Sequence, residues 1–155
     1  MIRFLAALAL ACALAAPTAA APTGQTYTAT VVRVVDGDSV VVAIPAWAAT
    51  PFGTISVRIA GIDTPESRKP PAKCAAEVVL GKAASAFAKG LVKPGDAVVV
   101  TYQGLDKYAR VDGALTLPDG RDWAAVMLGN GMARAYDGGT KSSWCRKPPT
   151  PPAGP

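Results

Sequence analysis

The sequence predicts a β-rich α+β domain: a five-stranded OB-type barrel with a helix after the third strand and a short second helix near the C-terminus. Three observations carry this. Five strand-like runs are punctuated by turn residues, one segment of helical period falls between the third and fourth runs, and no internal repeat divides the 155 residues. One domain is expected over residues 25–145, between a leader and a tail.

The leader spans residues 1–21. Arg3 supplies a short positive region, Phe4 to Ala16 an apolar core, and Pro17-Thr18-Ala19-Ala20-Ala21 a small-residue cleavage zone, so it reads as a signal peptide. Its apolar run falls short of the roughly 18 to 20 residues a comfortable membrane span needs. The expectation is an exported protein, periplasmic or secreted, without stable membrane association. Cys12 invites a lipoprotein reading, but Ala9 stands where such a signal wants Leu. Losing the leader removes Cys12 and leaves Cys74 and Cys145 as an even pair in a compartment where disulfides persist. They are expected to be joined, with two unpaired thiols as the alternative.

From Thr26 to Val35 the residues suit a strand, Asp36-Gly37 is a hairpin signal, and Ser39 to Ile44 returns as the second strand. Pro45 to Gly53 is a loop, and Thr54 to Ile62 makes the third strand. Between Cys74 and Leu91, Leu80, Ala84, Phe87 and Leu91 fall at helical spacing, which predicts one buried face with Lys82 and Lys89 in water. Pro94-Gly95 ends that segment. Ala97 to Tyr102 is nearly all apolar, as a strand covered on both faces would be, and Arg110 to Leu117 precedes a Pro118-Asp119-Gly120 turn. Asp122 is the expected N-cap of a short helix through Leu128, stopped by Gly129-Asn130-Gly131. Residues 146–155, rich in proline, are expected to be a disordered tail.

Composition narrows the chemistry. The net charge of +5, or +4 without Arg3, suits a polyanionic partner without requiring one. Histidine is absent, which excludes His-based proton transfer, His-ligated zinc and a Ser-His-Asp triad. Carboxylates, Lys, Tyr and a metal-bound water remain as proton handlers.

Three stretches hold the candidate groups: Asp36-Gly37-Asp38-Ser39, then Arg58-Ile59-Ala60-Gly61-Ile62-Asp63-Thr64-Pro65-Glu66, and Asp106-Lys107-Tyr108-Ala109-Arg110. Paired aspartates hold a hard cation through oxygen, a neighbouring Glu steers water, and Arg forks grip phosphate. Each stretch also has a plainer reading: an Asp-Gly turn, a strand end before proline, a solvated arginine. Arg58 and Asp63 are five residues apart, so simple alternation puts them on opposite faces. Gly61 is where the pleat is expected to break.

These three motifs, in this order and spacing from about Thr28 to Tyr136, resemble the staphylococcal nuclease-like, or thermonuclease, family. The resemblance implies that Asp38, Asp63 and the main-chain carbonyl of Thr64 hold Ca2+, that Glu66 orients or deprotonates the attacking water, and that Arg58 and Arg110 neutralise the phosphate. Lys107 and Tyr108 would lie near a terminal phosphate or sugar, and Tyr136 near a base. The implied activity is hydrolysis of DNA and RNA with little sequence preference, single strands or frayed duplex favoured, leaving 3′-phosphate ends; a monomer is expected from the lack of evident heptads or a large apolar stripe. A nucleic-acid-binding module without catalysis and an exported calcium-stabilised structural domain are the other classes.

Three departures from the family pattern stand out: Ser39 replaces Thr, Ala109 replaces Gly, and the long C-terminal helix is missing. If the backbone at Ala109 takes a positive φ, that residue resists it and Arg110 shifts. A Cys74–Cys145 bridge is expected to tie down the shortened end, with Trp144 packing over the first helix.

Overall fold

The computed structural model describes residues 23–47 and 53–145. The leader and the proline-rich tail assigned from sequence lie outside the described residues. Five strands close a barrel in the order β1-β2-β3-β6-β5. They are β1 (Thr26–Asp36), β2 (Ser39–Ala43), β3 (Ile55–Ile59), β5 (Ala97–Leu105) and β6 (Val111–Thr116). All neighbours are antiparallel except β3 and β6, which run parallel with Val57 opposite Val111 and Arg58 opposite Asp112. The α1 helix (Ala75–Leu91) follows the third strand and packs on β1, and α2 (Trp123–Gly129) packs near β6. This is the OB-type barrel the sequence predicts.

Alternation builds the core. Tyr27, Ala29 and Val31 point inward from β1, and Val111, Gly113 and Leu115 from β6. Together with Val40, Val42, Val57, Ile59, Val100 and the wholly buried Trp123 and Met127 they fill the barrel and its α2 side. Trp47, in a 3-10 turn over Pro45–Trp47, closes one end edge-on against Tyr27 and Tyr102.

Two expectations about packing fail. Leu80 is 45% exposed, because the buried face of α1 is Glu77, Gly81, Ala84, Ser85 and Ala88. Small residues let the helix lie close to the barrel; of the four predicted positions Ala84 is buried, Phe87 and Leu91 pack partly buried against the core, and Leu80 alone turns to solvent. In β5, Val98, Val100 and Tyr102 are buried while Val99 is 37% exposed. That strand is covered on one face only, its β-branched outer residues being a strand preference and not a sign of burial.

The third strand is shorter than the sequence indicates and is followed by a second piece. It stops at Ile59; Ala60-Gly61 turns, with Gly61 at φ +80°, and Ile62–Asp63 becomes β4. This short strand pairs with β7 (Arg134–Ala135), Ile62 opposite Ala135 and Asp63 opposite Arg134. Glycine takes the left-handed conformation without the Cβ clash other residues meet. The break therefore falls where Arg58 and Asp63 need it.

The disulfide joins Cys74, the N-cap of α1, to Cys145 across 71 residues, with Cα atoms 6.0 Å apart. Trp144 has a different partner from the one expected: its Nε1 donates to Asp63 Oδ2 at 3.0 Å. Among the described residues no helix is long and apolar enough to cross a membrane.

Candidate active site

Asp38 is the second residue of the β1–β2 turn, and its carboxylate ties three elements together. Oδ2 lies 2.7 Å from the Arg58 guanidinium of β3 and accepts from the amide and hydroxyl of Thr64 at 3.0 and 2.9 Å. Oδ1 accepts from Ser39 Oγ at 3.1 Å. The turn itself is held from below by α2, where buried Trp123 donates Nε1–H to Gly37 O at 3.0 Å. A second nitrogen of Arg58 donates to Ile62 O at 2.8 Å, beyond the Gly61 break. One buried ion pair thus fixes both the arginine and the segment that carries Asp63.

Asp36, at the end of β1, is pushed up to about 6, first by burial and then by the Asp38 carboxylate beside it. Glu66 follows Pro65 on the loop leading to α1. Burial also raises its pKa; the Lys141 ammonium opposes this, while Asp38, Asp63 and Glu77 add to it. The loop lies directly on the helix: a Cβ on Gly81 would strike the Glu66 carbonyl carbon and sit 2.6 Å from Pro65 O. Only glycine permits that approach.

Arg110 leaves a tight turn built by Asp106. The Asp106 carboxylate accepts from the amides of Tyr108 and Arg110 at 2.8 and 3.0 Å, and its Oδ2 receives two guanidinium nitrogens of Arg110, each at 2.7 Å. A small burial penalty on Asp106 is outweighed by these amides and by the guanidinium, which hold its carboxyl below the usual range. Ala109 takes φ +58°, the one non-glycine residue at positive φ among those described. The strain foreseen there is real, but the Asp106 bonds hold the turn and Arg110 keeps its place at the mouth of the site.

A cleft of about 890 Å³ gathers Asp38, Arg58, Thr64, Glu66, Lys107, Tyr108, Arg110 and Tyr136. Lys107 and Tyr108 stand at its rim, with Tyr108 69% exposed and flanked by Lys107 and Arg110. Of the predicted acids, Asp63 opens instead onto an adjoining cavity of about 360 Å³, which shares Gly61, Tyr136 and Asp137 with the cleft.

Two groups at Asp63 were not read from the sequence. Lys141 Nζ lies 2.6 Å from Asp63 Oδ1 and 3.9 Å from Glu66 Oε1, and Trp144 covers Oδ2. Burial disfavours the Lys141 ammonium, but Asp63, with Asp38 and Glu66 beyond it, outweighs that and raises its pKa. Both residues sit in a stretch with no motif. The signal that locates them is Cys145: pairing it with Cys74 carries residues 141–144 back to the acids.

Asp63 Oδ1 is buried, and its partner among the described residues is the Lys141 ammonium at 2.6 Å. A buried carboxylate oxygen with a cation already drawn to it fits a hard divalent ion. The donors would be few. Among the described residues the only convergent trio of Cys, Asp or Glu ligands is Cys74, Glu77 and Cys145, which is the disulfide with a glutamate beside it. The acids of the cleft form no three-carboxylate cage.

Comparison with known proteins bears on the family of the chain. A family model described as "Staphylococcal nuclease homologue" matches residues 56–147. Endonuclease YhcR of Bacillus subtilis (strain 168) is 32% identical over 114 residues, 71% of this chain and 9% of that protein. A protein of Escherichia coli named "Uncharacterized endonuclease" is 32% identical over 107 residues, 69% of this chain and 60% of that protein. The chain thus spans a tenth or so of one relative and rather more than half of the other. With its barrel, its two helices and the matched segment that runs from β3 through the Asp106–Arg110 turn to the disulfide, the chain belongs to the staphylococcal nuclease homologue family.

Proposed function

We propose that the protein is an exported, calcium-dependent nuclease that hydrolyses phosphodiester bonds of DNA and RNA with little sequence preference. The observation that carries this is the convergence of Glu66, Arg58 and Arg110 on one cleft beside Asp38. Export is supported by the leader-like sequence of residues 1–21 and by the paired cysteines.

Asp38, Asp63 and the Thr64 carbonyl would hold Ca2+, which supplies charge neutralisation at a phosphate oxygen and lowers the pKa of bound water. The residues of the chain do the rest. Glu66, with its raised pKa, is suited to accept the proton of the attacking water, since a carboxylate closer to the operating pH is the better base. Arg58 is locked by Asp38 and the Ile62 carbonyl, and no hydrogen bond from its Nε is made among the described residues. Arg110 spends Nε and Nη2 on Asp106 and keeps Nη1. Each guanidinium is therefore held in position by protein acceptors, and Arg110 keeps a donor for phosphate, the condition for preorganised stabilisation of developing charge. Lys107, Tyr108 and Tyr136 line the same cleft where flanking nucleotides would run.

The test is incubation of the purified protein with single-stranded DNA, duplex DNA and RNA, with calcium and then with chelator. Shortening of the oligonucleotides with calcium and its arrest by chelator are expected. Binding without shortening under every condition would instead assign the chain to the non-catalytic nucleic-acid-binding class.

A further inference from the structure

Residues 137–145 form a strap anchored at both ends. At its start the Tyr136 amide donates to Gly61 O at 2.9 Å, and Tyr136 Oη donates to Gly139 O at 3.0 Å. At its end Cys145 is bonded to Cys74. Arg134 adds a clamp, donating to Ser143 O at 2.9 Å with its guanidinium 3.8 Å from the Trp144 ring centre. Between the anchors, the strap takes both oxygens of one buried carboxylate. Lys141 Nζ sits 2.6 Å from Asp63 Oδ1, and Trp144 Nε1 donates to Oδ2.

The two partners of this ion pair are unequal. The Asp63 side chain is 6% exposed, whereas that of Lys141 is 48% exposed. The ammonium reaches inward from the solvent side on a half-exposed stem, and it meets Oδ1 in a close ion pair. A pair of this kind separates at small packing cost. It does not separate freely, because a covalent anchor four residues away keeps the amine on a short leash and its effective concentration at Asp63 high.

We infer that Lys141 is a tethered counter-ion: its ammonium holds the place beside Asp63 that a divalent cation takes, must leave for that cation to bind, and so sets the metal affinity of the site. This rests on the proposed use of Asp63 as a cation ligand. Two positive charges cannot share one buried carboxylate oxygen without strong mutual repulsion. When calcium is scarce, Lys141 neutralises Asp63 and lies near Glu66. When calcium is abundant, the ammonium is released towards the cleft.

The experiment is calorimetric titration of the purified, disulfide-bonded protein with calcium chloride, for the wild type, Lys141→Met and Lys141→Arg. Met keeps the stem and removes the charge. It is expected to tighten calcium binding about ten-fold, while Arg stays near wild type; this is a modest fraction of the repulsion of unit charges about 4 Å apart near a protein surface. In the wild type, calcium should also move the Lys141 13Cε and Trp144 indole N–H resonances as Asp63 changes partners. Calcium binding by the Met variant when the wild type is silent supports the same assignment. A folded Met variant with wild-type affinity overturns it, and so does a Lys141 resonance that stays still while the wild type saturates; either result leaves the calcium site standing. Absence of heat and of any shift in all three proteins removes the calcium reading itself, and this inference with it.

Discussion

Glu66 and Asp36 show how the same cause, burial among acids, acts on single carboxyls. Glu66 stands on the cleft wall with Arg58 and Arg110, so Glu66→Gln should lower the hydrolysis rate by about 10² to 10⁴ if it takes the proton. Steady-state rates, with the melting temperature unchanged, check this. Asp36 ionises at about 6 in the folded protein against 3.8 for an ordinary aspartate. A group raised in this way contributes fully at pH below about 4, and the contribution is lost as pH rises through 6. In chelator, wild type should lose roughly 2 to 3 kcal/mol relative to Asp36→Asn between pH 4 and 7. Urea unfolding of both proteins across that range measures it, and a flat difference would contradict the cause assigned. Ala109 is the third case. At φ +58° its Cβ is crowded in a way glycine avoids, so Ala109→Gly should stabilise by about 0.5 to 1 kcal/mol despite the added freedom of the unfolded chain. A higher urea midpoint with an unchanged slope is the expected result.

At the level of elements, the site depends on how closely α1 can approach the loop before it. Gly81 touches the backbone of Pro65 and Glu66, whereas Gly90 in the same helix faces open space. Gly81→Ala should therefore destabilise by about 1 to 3 kcal/mol and lower activity by moving Glu66. Gly90→Ala should stabilise by about 0.5 to 1 kcal/mol, as alanine does in an unobstructed helix. Thermal melts of the pair separate the contact from the propensity. The elements were largely legible beforehand. The Asp36-Gly37 hairpin, the helix from Ala75 and the Asp122 cap, which accepts from the Ala125 amide at 2.8 Å, follow from local patterns. The buried face of α1 was legible in part: helical spacing marked Ala84, but Gly81 and Ala88 face the protein through smallness and no hydropathy pattern marks them.

For the molecule as a whole, the disulfide and the strap tie residues 137–145 back to α1 and to the segment that carries Asp63. Closing 71 residues of chain, the Cys74–Cys145 bond should contribute roughly 2 to 5 kcal/mol, mostly by restricting the unfolded state. Reduction, or the double change Cys74→Ala with Cys145→Ala, should lower the melting temperature measurably; an unchanged value would argue against a tether. The candidate acids and arginines could be named from sequence because each lies in a short motif with characteristic neighbours. Their convergence could not. Arg58 meets Asp38 across a strand pair, and Asp63 lines the adjoining cavity beyond the turn at Gly61, whose carbonyl-side neighbour Ile62 accepts from Arg58.

By itself the sequence determined the barrel's strands and helices and the identity of the charged groups, since local periodicity, turn chemistry and residue type are properties of neighbours along the chain. Tertiary structure alone decided that Lys141 and Trp144 cover Asp63, that Trp123 braces the Asp38 turn and that Gly81 seats Glu66. Those contacts join residues 15 to 86 positions apart, and charge neutralisation and close packing depend on distance in space, which no local pattern encodes.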